Sequence, residues 1–229
     1  MVKILSIETS TSICSVAIHG DGELLSFLEI HEPGAHAEQL MLLIERVLSM
    51  AGCNFKEMDA IAVSGGPGSY TGLRIGVSTA KGLAFGLNRP LIGVNTLQAL
   101  ASAAPIKEGE YIIPVLDARR MEVYREVFDW ELNSVDELKA EVISEECFQN
   151  FLKKGRVYFV GDAVQKVKSI VKSENAEFLT ELSFSAKYMG EISLGKFKRK
   201  EFADLAYFVP NYLKEFKALH SKKNPLLNL

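Results

Sequence analysis

Three short apolar runs follow one another in the first thirty residues before any helical pattern begins, and no other feature constrains this chain as strongly. Val2 to Ile7, Ile13 to Ile18 and Glu23 to Ile30 read as strands, and Asp21-Gly22 is a tight-hairpin signal between the last two. Strands joined this closely form a meander, which needs helices to cover its apolar side. The first helical pattern comes only after the breaker Pro33-Gly34. It runs from Ala37 to about Ala51 and ends before Gly52, as a helix should.

The remainder of the first half alternates strand and helix. Asp59 to Ser64 is a short buried-type strand, and Gly65-Gly66-Pro67-Gly68-Ser69-Tyr70 leads from it into a helix from about Thr71 to Leu87. Pro90 stops that helix, Pro90 to Val94 reads as a strand, and Thr96 to Ala104 as a short helix. The order is βββαβαβα. A polar segment, Pro105 to Glu110, marks the expected domain boundary. Beyond it, Tyr111 to Leu116, Glu122 to Trp130 and Val157 to Val160 read as strands, and Ser144 to Lys154 and Asp162 to Val171 as helices. The expected organisation is an N-terminal domain over 1–104 and a smaller α/β domain over 105–204. The tail from about 205 to 229 is expected to fold back on the first domain.

Hydrophobic residues make up 48% of the 229 and charged residues 24%, ordinary values for a folded chain. The run Val2 to Ile7 is too short for a signal segment, and no apolar stretch approaches the roughly 20 residues a membrane span needs. These features lead to the expectation of a cytoplasmic protein without a membrane segment. Cys14, Cys53 and Cys147 are widely spaced and odd in number, which suggests neither a disulfide framework nor a thiolate metal site. A net charge of −3 gives no global field that attracts nucleic acid. One local run, Lys196-Phe197-Lys198-Arg199-Lys200, reads either as a phosphate contact or as a solvated helix end.

Candidate chemistry sits at three places. The turn Glu8-Thr9-Ser10-Thr11-Ser12 carries an acid and small hydroxyls that suit nucleotide phosphates or their metal, although hydroxyl-rich turns also serve ordinary hairpins. The glycine-rich loop lacks the lysine of a Walker loop and the GxSxG spacing of a nucleophile elbow, so neither a P-loop nor a serine-hydrolase mechanism fits. Asp117 opens an Asp-Ala-Arg-Arg turn after a strand, where it is either a phosphate or metal carboxylate or a turn cap. The second helix repeats Gly72, Gly76, Ala80 and Ala84 at every fourth residue. Such a row lets another element approach closely, either this chain's own helix or sheet or a second subunit. The first helix is apolar on more than one face, with Met41 and Leu48 outside its main stripe. The expected partner surface is therefore His36, Leu40, Met41, Leu48, Gly72, Gly76, Ala80 and Ala84. On that reading, enlarging Gly76 and Ala80 breaks association and leaves the fold intact.

The meander and its hydroxyl turn follow the local plan of the actin-like (ASKHA, ribonuclease H-like) fold, here with a truncated second domain. Several strings also resemble the TsaB (YeaZ) family: Leu5 to Thr9, His36-Ala37-Glu38-Gln39-Leu40, Gly66-Pro67-Gly68-Ser69-Tyr70-Thr71-Gly72-Leu73-Arg74-Ile75-Gly76, Gly93-Val94-Asn95-Thr96-Leu97 and Asp117-Ala118-Arg119-Arg120-Met121-Glu122-Val123-Tyr124. Similarity is strong to about residue 125 and returns at Pro210-Asn211-Tyr212-Leu213.

The resemblance implies a non-catalytic scaffold for synthesis of N6-threonylcarbamoyladenosine beside the tRNA anticodon. It implies pairing with a TsaD-like transferase and a TsaE-like ATPase, homodimers in isolation, tRNA met only through the complex, and no cofactor. TsaD-like relatives carry two histidines four residues apart that can hold a metal; here those positions are Thr96 and Leu100, neither of which serves. Of the four histidines, His19, His31, His36 and His220, no two have ligand spacing on a helix. His36, at a helix start, reads as a capping or interface residue. The rival is an actin-like small-molecule kinase or ATPase using Glu8 and Asp117. A metalloprotease is discarded for want of a ligand set.

Overall fold

The computed structural model describes residues 1–214. His220 and the part of the returning tail beyond 214 lie outside the described residues. The meander forms: β1 (Lys3–Glu8), β2 (Cys14–Gly20) and β3 (Glu23–Ile30) pair antiparallel. They are followed by α1 (His36–Met50), β4 (Ala60–Ser64), α2 (Tyr70–Leu87) and β5 (Leu91–Val94). The two later strands join β1 in parallel, giving the order β3-β2-β1-β4-β5.

Strand alternation sorts the core into two layers. Leu5, Ile7, Ile61 and Val63 face α1 and α2, meeting Leu40, Ile44, Val47, Val77, Ala80 and Ala84. Ile4, Ala60, Ala62 and Ile92 face the other side.

After α3 (Thr96–Ala101) the plan is repeated on a smaller scale. β6 (Tyr111–Asp117), β7 (Glu122–Asp129) and β8 (Ser134–Val142) form a second antiparallel meander. It is followed by α4 (Gln149–Leu152), β9 (Val157–Val160), α5 (Val164–Ile170) and β10 (Ala176–Leu179). Here β9 and β10 run parallel to β6, in the order β10-β9-β6-β7-β8. The covering helices are shortened, 4 and 7 residues in α4 and α5 against 15 and 18 in α1 and α2.

The chain then returns. A 3-10 turn at Ala186–Tyr188 and α6 (Gly190–Lys198) place Ala186, Met189, Ile192 and Phe197 on the open face of the first sheet. Leu97, Leu100 and Ala101 of α3 pack with Ile112, Leu116 and Phe128 of the second sheet, so α3 ties the halves together. β8, β10 and α6 form where no element is expected, and one expected helix is shorter. The helix expected over 144–154 shrinks to Gln149–Leu152, because Phe148 before it adopts a left-handed φ of 69°. The run 196–200 is the solvated end of α6: Lys196 donates to the Gly93 carbonyl and Arg199 pairs with Glu201.

Candidate functional site

The hydroxyl turn lies at the end of β1, under the glycine-rich loop and the start of α2. Glu8 is 1% exposed. It accepts a 2.6 Å hydrogen bond from the Ser10 N–H, and the Ser64 hydroxyl sits beside the same turn, 3.4 Å from the Thr9 N–H. Burial pushes the Glu8 carboxyl above its ordinary 4.5, and the bonds from Ser10 and Ser64 only partly oppose this. The cover is close everywhere. Ser69 N–H donates to the Ser10 carbonyl at 2.6 Å, and a side chain at Gly68 would strike Ser10. A side chain at Gly72 would strike the Thr9 carbonyl, and one at Gly76 the Thr9 hydroxyl.

In this geometry the small-residue row meets this chain's own turn and sheet, one of the two readings its spacing allows. Gly72, Gly76, Ala80 and Ala84 are spent on bringing α2 onto the Thr9 turn and its sheet, within one chain. Leu40 and Leu48 are buried in the same core, whereas Met41 is 41% exposed. His36 is buried and does not cap: the N-cap of α1 is Ala35, without a side-chain bond, and His36 Nε2 has no hydrogen-bond partner among the described residues. Outward on the same two helices stand Met41, Leu42, Met50 and Phe85, the last 81% exposed, with open space at Gly82 and Gly86.

Asp117, at the equivalent place in the second meander, is not a free carboxylate. Its Oδ1 accepts from Lys166 Nζ at 2.8 Å and from Arg119 N–H at 2.6 Å. Partial burial pushes it up, but those two bonds together outweigh burial and hold it below its ordinary range. Its own N–H donates to Asp162 Oδ1 at 2.8 Å, and burial pushes Asp162 up. A cleft of about 240 Å³ lies beside it, between Thr11, Ser12 and Ile13 of the first half and Asp162, Gln165 and Phe184 of the second. Thr96 and Leu100 are buried on α3. Among the described residues no group of three or more His, Cys, Asp or Glu side chains could hold a metal.

The last described residues form a strap over the first half, through contacts that the sequence alone does not specify. Phe208 lies on Gly65 and Gly93, and Lys81 Nζ donates to the Ala206 and Phe208 carbonyls. Asn211 N–H then donates to the Gly65 carbonyl at 2.7 Å, and the Tyr212 ring packs tilted against Tyr70 with centroids 4.7 Å apart. Lys214 reaches the second half, to the Ala118 carbonyl and the Glu122 carboxylate.

These features are those of a known group of proteins. A family model described as "TsaD: tRNA N6-adenosine threonylcarbamoyltransferase" matches residues 33–222. The chain belongs to this family and, within it, to the TsaB (YeaZ) proteins. The tRNA threonylcarbamoyladenosine biosynthesis protein TsaB of Escherichia coli is 36% identical over 58% of this chain and 58% of its own length. The chain thus matches somewhat over half of that relative. The protein of the same name from Bacillus subtilis is 28% identical over 97% of this chain and 100% of its own. The solved YeaZ of Pseudomonas aeruginosa superposes with a TM-score of 0.79 at 28% identity, covering 93% of this chain and 100% of that one. The fold is the actin-like two-domain fold, shared with solved proteins at 11% identity and TM-scores up to 0.55, a likeness that speaks to fold alone.

No helix among the described residues is long and apolar enough to cross a membrane.

Proposed function

We propose that this chain is a non-catalytic partner subunit in the biosynthesis of N6-threonylcarbamoyladenosine in tRNA. It pairs with a TsaD-like transferase, works with a TsaE-like ATPase, and forms a homodimer when alone, in the cytoplasm. The observation that carries this reading is the closure of the Glu8–Ser10 turn beneath Gly68, Gly72 and Gly76. An actin-like ATPase needs its phosphate turn open and its acid available to a metal. Here the acid is buried with its pKa raised, and the second carboxylate, Asp117, already has Lys166 as its counter-ion.

The pairing surface in this proposal is the α1–α2 pair. Met41 and its outward neighbours Leu42, Met50 and Phe85 make the contact, while His36, Leu40, Leu48, Gly72, Gly76, Ala80 and Ala84 hold the two helices in place from within. Large exposed apolar side chains on one helical layer are what a subunit contact requires. Glu8, Thr9, Ser10 and Asp117 act in this account as structural turn residues. We take residues 1–104 and 105–204 as the two domains, with the returning segment completing the first.

The test is to replace the chromosomal copy of this gene by variants and measure the tRNA nucleoside by mass spectrometry. Loss of the nucleoside in a Met41→Glu/Phe85→Glu variant, with full retention in Glu8→Gln, is expected. Loss in Glu8→Gln with retention in the helix variant would reverse the assignment.

A further inference from the structure

The hairpin turn joining β6 to β7 holds two arginines where the backbone disfavours them. Arg119 and Arg120 have φ angles of 72° and 54°, both left-handed. The turn is closed by Ala118 N–H to the Glu122 carbonyl at 3.1 Å and Glu122 N–H to the Arg119 carbonyl at 3.2 Å. Hairpin turns with two left-handed residues favour Asn and Gly, since there Cβ crowds the following carbonyl, a cost that Gly escapes and Asn offsets by local hydrogen bonding. Two arginines in sequence are therefore kept against local preference. Both are exposed, and neither guanidinium has an ion pair among the described residues. The acids beside them are already engaged, Asp117 by Lys166 and Glu122 by Lys214.

The strap brings further groups to the same strip. Lys214 Nζ is 3.3 Å from the Ala118 carbonyl, so it lies next to Arg119, and it sits 5.7 Å from the centre of the Tyr124 ring. Two residues back along the same strap, the Tyr212 ring packs tilted against Tyr70, with centroids 4.7 Å apart. Arg74 lies 4.0 Å over the Tyr70 ring, with its Nε donating to the Tyr212 hydroxyl. Cations alternate with half-exposed tyrosines along the strip. That is the composition that binds single-stranded nucleic acid, where cations meet phosphates and rings stack on unpaired bases.

We propose that Arg119, Arg120 and Arg74, with the Tyr70–Tyr212 pair, form a contact surface for a looped or single-stranded RNA segment, while Lys214, paired with Glu122, anchors the strap beside the turn. The overall charge of −3 does not oppose this, because attraction acts over about one Debye length, roughly 8 Å at physiological salt. The proposal rests on the reading above only for which RNA is met. It departs from the expectation that tRNA is reached only through the partner.

The test is fluorescence anisotropy with a labelled RNA hairpin carrying an anticodon-like loop, over a salt series, using the full chain alone and with its transferase subunit. The variant Arg119→Asn/Arg120→Gly removes both charges and suits the left-handed turn. It should bind the hairpin about tenfold more weakly, with the salt slope reduced by about 1.4 for two lost phosphate contacts, and should melt no lower than the parent. Tyr212→Ala should weaken binding about tenfold with little change in slope. Unchanged RNA affinity in the arginine variant, or no binding by the parent in either form, would overturn the proposal. Unchanged RNA affinity with lost pairing to the transferase subunit would overturn it and make the turn a protein contact. Light scattering reads the pairing separately, so failure of RNA binding and failure of the scaffold reading are told apart.

Discussion

Gly76 of α2 lies against Thr9 so closely that a single added methyl group would collide with the threonine hydroxyl. This contact sets how near the helix comes to the sheet, and with Gly72 over the Thr9 carbonyl it keeps the end of β1 covered.

Gly76→Ala should therefore destabilise the fold. Overpacking costs about 1–3 kcal/mol, set against up to ~1 kcal/mol gained in helix propensity. Gly82→Ala on the same helix, with open space around it, should gain stability instead. Denaturant unfolding of the two variants measures the contrast. Equal stabilisation of both would mean that the row does not face the sheet.

The burial of Glu8 predicts a pH dependence. Its folded pKa is raised, so its contribution is most favourable below the ordinary 4.5 and is lost as pH rises through the folded value. Glu8→Gln, which mimics the neutral acid, should raise the melting temperature at pH near 7 and change it little in acid. A variant destabilised most at neutral pH would show that the carboxylate is the working form.

His19 predicts the opposite trend. Its ring is 1% exposed, with Nδ1 3.2 Å from the Ser6 hydroxyl and Nε2 3.2 Å from the Lys187 carbonyl, and burial lowers its pKa. A lowered histidine contributes stability above its ordinary 6.5 that is lost as pH falls through the folded value. Protection factors of the amides in the 186–198 segment, with the intrinsic exchange rate at each pH divided out, should fall on acidification, and His19→Gln should remove the pH dependence of that change. Protection insensitive to pH in the parent would contradict it.

Parts of this architecture were legible because local signals and tertiary demands agreed. The first meander, the helix after Pro33-Gly34 and the strand–glycine-loop–helix unit carry alternation, helical spacing and breakers in register with the faces they bury. β8 was not legible. As an edge strand it leaves Val135 and Val142 exposed and places charges among them, so no buried stripe marks it. α6 was hidden because its apolar contacts, Ile192 and Phe197, are too few for a clear period and gain meaning only against a sheet made far earlier in the chain. The small-residue row was visible, but its partner was not. Spacing reports that something comes close, and only the fold shows that it is Thr9. The unusual pair Arg119-Arg120, in a turn where Asn-Gly would be ordinary, was the one sequence signal of the basic strip.

For the rival reading, calorimetric titration of the isolated chain with ATP and magnesium should give no tight binding and no turnover. The covered turn and the Lys166–Asp117 pair at 2.8 Å leave neither acid open to a metal–phosphate group. Tight binding lost in both Glu8→Gln and Asp117→Asn would restore the kinase-like account.

In this proposal α1 and α2 present their outer face to a partner. This is tested most directly by size-exclusion chromatography with light scattering on the full chain, alone and mixed with the TsaD-like subunit from the same source. A homodimer that converts to a one-to-one heterodimer is expected, with both states lost in Met41→Glu/Phe85→Glu while the chain remains folded. A monomer indifferent to that subunit, or pairing that survives the substitution intact, would contradict it.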